Sequence, residues 1–188
     1  MIEPRPLTPE VQLRIATLDD AAALADAFAR SWDHLAPWEP VRPENWFTQA
    51  GQEQRLSGIL ERYKNGLVVP WLLIEGDRVV GAITLNDLVP GPFRNADVGY
   101  WLASDALGRG LATRAVETVA EIADTELQLH RLAASTLTNN TASQRVLQRT
   151  GFTQIGFAPT YLHIAGAWQD CNLYQRILND RTPGMEPR

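Results

Sequence analysis

The sequence predicts an α/β domain with a mixed, mostly antiparallel central sheet flanked by helices. Three observations predict it. Short apolar runs of strand type recur along the chain, and several are joined as hairpins, as at Gly76-Asp77. Amphipathic helical stretches separate them; in one, Leu111, Ala115, Val119 and Ile122 fall on a single face. Between residues 97 and 120 an apolar strand passes through a loop holding Gly108 and Gly110 straight into that helix, which makes one central crossover.

The elements follow in order. Residues 11–15 alternate apolar and polar and form a first strand, and Asp19 or Asp20 caps a helix over 21–30. Residues 31–43, with prolines and Trp32, His34 and Trp38, form a loop. Pro43 starts a second helix reaching about residue 64, before Gly66. Residues 68–75 and 79–85 are a hairpin; Pro90-Gly91-Pro92 breaks the chain; 96–103 is the fourth strand. A helix from Gly110 to about Leu127, a fifth strand over 131–137 and a short helix over 141–150 follow, and 152–164 with 168–178 closes the sheet as a hairpin. The domain organisation is an extension over 1–10, one domain over 11–178, and a frayed Pro/Gly tail over 179–188.

Composition narrows the function. The net charge of −5 argues against bulk nucleic-acid binding and suits a cationic amine partner. A single cysteine, Cys171, excludes an internal disulfide framework and fits a reducing cytoplasm. Met1-Ile-Glu-Pro-Arg-Pro has no apolar signal core, and no apolar run reaches the length of a membrane span. No metal site is expected, and a homodimer stays open.

The glycine loop points to a phosphate. Free N–H groups at a helix start, with the positive end of the helix dipole, hold anions, and glycines let the ligand approach the backbone. The Lys-Ser or Lys-Thr pair of a P-loop is missing, as is the third glycine of a dinucleotide fingerprint. An ordinary strand-to-helix turn would use the same glycines; so would a site for the pyrophosphate of coenzyme A. Gly108-Arg109-Gly110-Leu111-Ala112 is similar to the pyrophosphate loop of the GCN5-related N-acetyltransferases (GNAT superfamily), (Arg/Gln)-x-x-Gly-x-(Gly/Ala). Gly110 and Ala112 match, and Leu107 stands where Arg or Gln is expected.

Two further stretches carry the same resemblance. Asn139 through Leu147, closing at Gly151-Phe152, looks like the family's second acetyl-CoA segment, about thirty residues downstream; the same residues also make a plain helix, with Asn140 or Thr141 as N-cap and Gln144 completing a capping box. The stretch from Tyr161 to Tyr174, together with Gly91-Pro92-Phe93-Arg94, resembles the RimJ/RimL type of ribosomal-protein alanine N-acetyltransferases, although Cys171 stands where members often carry His. The resemblance spans about residues 11–178.

The resemblance implies a sheet splayed between the fourth and fifth strands, with acetyl-CoA as co-substrate in the gap and direct attack by an amine. A backbone N–H at Trp101 or Leu102 would polarise the thioester carbonyl. Trp101, Leu102 and Ala103 would pair with the pantetheine, with Asn140 on its other side. Leu107, Gly108, Arg109, Gly110, Leu111, Ala112 and Thr113 would supply the pyrophosphate N–H groups. Ser143 matches a serine placed near the thioester sulfur and is the candidate proton donor; a first-turn helix serine is the alternative. Asp97 aligns with a glutamate that other members use as base, and is otherwise a strand-entry aspartate in water. Leu162 falls where some members carry a glutamate; Tyr161 and His163 flank it and are candidates to line the cleft. Trp32 and Trp38, with His34, lie on the substrate-side loop, either on the cleft or in packing.

The weak base favours an α-amine acceptor. Freeing an α-amine at pH 7 costs about 1–1.4 kcal/mol, against about 4.6 for a lysine. Three functions remain: an N-acetyltransferase for a protein N-terminal α-amine, one for a small-molecule amine, and a coenzyme-A-binding module without turnover.

Overall fold

A computed structural model describes residues 2–182. Eight strands form one sheet: β1 (Arg5–Pro6), β2 (Val11–Ile15), β3 (Val69–Glu75), β4 (Arg78–Val89), β5 (Asn95–Leu102), β6 (Arg131–Leu137), β7 (Thr153–Ile164) and β8 (Ala167–Ile177). Their order is β1-β2-β3-β4-β5-β6-β8-β7, and every pairing is antiparallel except β5 with β6. Four helices flank it: α1 (Ala21–Leu35), α2 (Gln49–Lys64), α3 (Leu111–Thr125) and α4 (Thr141–Arg149).

Both faces of the sheet are buried, so its central strands are continuous apolar runs rather than alternating ones. On β3, Val69, Trp71 and Leu73 point to one face and pack with Leu111, Val116 and Val119 of α3; Leu72 points to the other and packs with Leu24 and Phe28 of α1 and Leu56 of α2. Burial of each such large side chain stabilises by roughly 1.5–3 kcal/mol.

The splay is built into the β5–β6 pair. The two strands pair only at Asn95–Arg131, Ala96–Leu132 and Asp97–Ala133, then separate. Beyond Asp97 the β6-facing edge of β5 has no strand partner, while β4 stays paired to it as far as Gly81–Leu102.

Several boundaries differ from the sequence reading. The first helix continues through Leu35 and a 3₁₀ turn, Ala36–Trp38, where a loop was expected. Its apolar stripe does not stop at Arg30: Ser31 and Leu35 are buried in line with Leu24 and Phe28, and the Ser31 hydroxyl accepts from Ser104 N–H at 3.1 Å. Pro43 does not open the second helix; it precedes a 3₁₀ turn, Glu44–Phe47, and Thr48 caps α2 by accepting from Gly51 N–H at 3.1 Å. Asp20 does not cap α1 with its side chain, which instead accepts from Thr17 N–H at 2.7 Å and pairs with Arg14.

At the chain ends, β1 pairs Arg5 with Leu13 and Pro6 with Gln12. Asn179, where fraying was expected to begin, is tied down: its side-chain N–H₂ donates to Asp124 at 2.7 Å and to the Leu129 carbonyl at 2.8 Å. The rest of the expected tail, 183–188, lies outside the described residues. Among the described residues no helix is long and apolar enough to cross a membrane.

Candidate active site

The gap between β5 and β6 opens into a cleft of about 600 Å³. One end is the glycine loop. Gly108 and Gly110 both have φ of +73°, a left-handed conformation that side chains with a Cβ resist. Gly110 is the N-cap of α3 and offers no side chain, and the first helical bond runs from Arg114 N–H to Gly110 C=O at 3.1 Å. The N–H groups of Leu111, Ala112 and Thr113 precede that bond and have no partner within the helix. Leu107, Gly108, Gly110, Leu111, Ala112 and Thr113 line the cleft; Arg109 does not, because its guanidinium turns away to pair with Glu75.

The floor is β5. Ala103 N–H donates to Val80 C=O at 3.0 Å, and the Trp101 carbonyl lies on the β4 side, where a Cβ on Gly81 would approach it. Antiparallel ladders alternate, so Trp101 and Ala103 spend their peptide groups on β4, while Tyr100 and Leu102 turn theirs to the open edge. Ala103 is fully buried and lines no part of the cleft, which corrects its expected pairing with the cofactor. Of Trp101 and Leu102, Leu102 has the N–H that faces the gap. The Trp101 side chain lines the cleft and packs on Phe28 with ring centroids 4.6 Å apart.

The far wall is the start of α4. Asn140 is the N-cap, accepting from Ser143 N–H at 3.1 Å, and both residues line the cleft. Gln144 forms no capping box; it donates to the Leu137 and Thr138 carbonyls at 3.1 and 3.0 Å. The hydroxyls of Ser143 and Tyr100 are 2.9 Å apart, so the two strand-splayed elements meet at this pair. Burial pushes the Tyr100 phenol up to about 12, against a smaller downward pull from its bond to Ser143, so it stays protonated at neutral pH.

The other side is formed by His34 in the last turn of α1, by Trp38 and Glu39 after it, and by Leu162 and Ile164 of β7. Trp38 is on the cleft as a candidate should be. Trp32 is not: it packs edge-on to Phe47 at 4.9 Å. Tyr161 and His163 are exposed and absent from the wall, and His163 meets Trp168 edge-on at 5.4 Å. Strand alternation gives the reason, since Leu162 and Ile164 take the inward face and their neighbours the outward one.

Asp97 sits at the last paired position of the splay and does not line the cleft, whose β5 residues begin at Val98. Its carboxyl is raised above the usual range by burial and by Asp87, against opposing pulls from Arg131 and Asn95. Cys171 is fully buried opposite Leu137 on β6, and burial raises its thiol, so it is packing and not a nucleophile. Among the described residues no three His, Cys, Asp or Glu side chains gather as a metal site requires.

His34, named from the sequence with Trp38 on the substrate-side loop, lies on the cleft. Sequence reasoning missed Tyr100, Glu39 and Arg149, also on the cleft. Tyr100 was legible through strand alternation from Leu102; the other two depend on how distant elements pack.

A strand pair parted beside a helix N-terminus, with hydroxyls at the far wall, defines a site that fits a phosphate-bearing carrier. The chain belongs to the GNAT family: the model of the acetyltransferase (GNAT) domain matches residues 10–153. It is an N-acetyltransferase.

Its relatives are specific. The [Ribosomal protein uS5]-alanine N-acetyltransferase of Escherichia coli is 32% identical over 179 residues, covering 94% of this chain and 92% of that one. The crystal structure of a ribosomal-protein alanine acetyltransferase from Vibrio fischeri superposes with a TM-score of 0.91 at 33% identity, over 97% of this chain and 100% of that one. Mycobacterium smegmatis RimJ in complex with CoA-disulfide gives 0.85 at 32% identity, over 89% and 81%.

Proposed function

We propose that this enzyme transfers acetyl from acetyl-CoA to the N-terminal α-amine of a protein, with ribosomal proteins as the acceptor class. One observation carries the reading: a single cleft runs from the glycine loop at α3, past the free edge of β5 and the Tyr100–Ser143 pair, to the wall of His34, Trp38 and β7. The names of the relatives add the acceptor class.

The residues fit the carrier. Cβ atoms placed on Gly108 or Gly110 would meet nothing within 4 Å, so the backbone there is open to a bulky anion. The N–H groups of residues 111–113 suit the pyrophosphate, and Arg149 adds the one guanidinium on the cleft wall. The free edge of Tyr100 and Leu102 suits the pantetheine amides, with Asn140 facing them across the gap. Acetyl-CoA supplies an acetyl group activated as a thioester.

The chain's own groups then do three things. Leu102 N–H polarises the carbonyl as a fixed backbone donor. The Ser143 hydroxyl, 2.9 Å from that of Tyr100, gives its hydrogen to the departing sulfur. Trp101, Trp38 and Leu162 keep water from the reacting atoms. A cytoplasmic location goes with a ribosomal-protein acceptor.

Thiol release from acetyl-CoA tests the reading. Release with short peptides bearing a free α-amine, abolished when that amine is blocked, is the expected result. Release only with polyamines or aminoglycosides overturns the acceptor class.

A further inference from the structure

The cleft wall carries one carboxylate, Glu39, among all its lining residues. It follows the 3₁₀ turn after α1, and several contacts fix its place. Its carbonyl accepts from Ala165 N–H at 3.0 Å, tying this segment to the β7–β8 turn. Its Oε2 pairs with Arg42, and the Arg42 guanidinium lies 3.8 Å over the ring of Trp46. The side chain is only 18% exposed. Oε1 has no hydrogen-bond partner among the described residues. A carboxylate held rigid by one oxygen, with the other free on a cleft wall, is built to take a donor from a ligand.

We propose that Glu39 is the acceptor-amine site: its carboxylate binds the incoming ammonium and takes one proton from it. The assignment rests on the proposed transfer to an α-amine and deepens it. The nitrogen gives a proton to Glu39, either directly or through one water. The freed nitrogen pair bonds to the acetyl carbon as the carbon–sulfur bond breaks. The second nitrogen proton ends on the departing thiolate by way of the Ser143 hydroxyl, and Glu39 returns its proton to water when the amide leaves.

The charged and titratable groups around Glu39 are few. Arg42 is bonded to it, Arg55 of α2 lies close enough to feel its charge, and His34 of α1 shares the wall. Across the cleft stands Arg149, and His163 of β7 faces outward. Asp97, the base expected from sequence, is off the wall. Glu39 is therefore the carboxylate an acceptor in the cleft would meet.

The test is kcat/KM against pH for Glu39→Gln with a peptide bearing a free α-amine, with the melting temperature and coenzyme A affinity as controls. The amide still accepts from Arg42, so the fold is kept at a modest cost in melting temperature and coenzyme affinity stays within a few-fold of wild type. The expected loss is about 100-fold near pH 6.5, shrinking as pH rises above about 8, where the amine is already free. Activity within twofold of wild type at every pH overturns the assignment, as does a loss of equal size at every pH. A pH-dependent loss in His34→Gln with Glu39→Gln unaffected also overturns it, by moving the proton to His34. If the wild-type enzyme acetylates no α-amine peptide, the acceptor reading falls and this assignment with it.

Discussion

The Tyr100 hydroxyl lies 2.9 Å from the Ser143 hydroxyl, bridging the free edge of β5 to the first turn of α4. The gap between the splayed strands thus has a polar end wall made of two hydroxyls, one of them held protonated by burial. Ser143→Ala is expected to lower kcat by about 100-fold while coenzyme A affinity stays within a few-fold. Tyr100→Phe is expected to lower kcat less, and by the same factor at every pH between 6 and about 10, because the phenol titrates only near 12. Steady-state kinetics beside calorimetric titration of coenzyme A separates the two effects.

Gly81 is a second point of close approach. A Cβ there would lie 2.7 Å from both the Trp101 carbonyl oxygen and the Leu102 side chain. Gly81→Ala must therefore push β5 into the cleft. A destabilisation of about 1–3 kcal/mol is expected, with a larger loss of activity than of coenzyme affinity. Denaturant unfolding and thiol release check both halves.

The Arg14–Asp20 pair fixes the entry to α1. Burial alone would raise Asp20, but the two Arg14 bonds and Thr17 N–H outweigh it and hold the carboxyl below its ordinary value. A depressed pKa contributes stability above the unfolded-state value, about 3.9, and that contribution is lost as pH falls through the folded-state value. Asp20→Asn should cost about 1–3 kcal/mol at pH 7, since Arg14 is left without its partner, and the difference from wild type should narrow below about pH 4. Thermal unfolding against pH measures it.

Asp97 has the opposite sign. Its raised pKa means that its ionised form opposes folding at neutral pH. Asp97→Asn is expected to raise the melting temperature at pH 7, and the gain should vanish at acid pH, where the wild-type carboxyl is protonated. Its pH–rate profile should match the wild type. Differential scanning calorimetry and kinetics on the same variant give both readings.

What was legible in the sequence follows physical range. The glycine loop, the Asn140 cap and the β3–β4 hairpin at Gly76-Asp77 are local patterns, and they appear where the sequence placed them. The extension of α1 was hidden because Ser31, a polar residue, is buried through its bond to Ser104, 73 positions away. The inward face of β7 was misjudged at Tyr161 and His163 because bulges between Ala158 and Leu162 reset its register. Glu39 carried no sequence signal: its place on the cleft depends on Arg42, Trp46 and the β7–β8 turn together.

The most direct measurement is the position of the acetyl group on a peptide that carries both a free α-amine and a lysine, read by tandem mass spectrometry after incubation with acetyl-CoA. A single acetyl on the α-nitrogen is the expected result. An acetyl on the lysine side chain, or none on any such peptide while a small amine is acetylated, would contradict it.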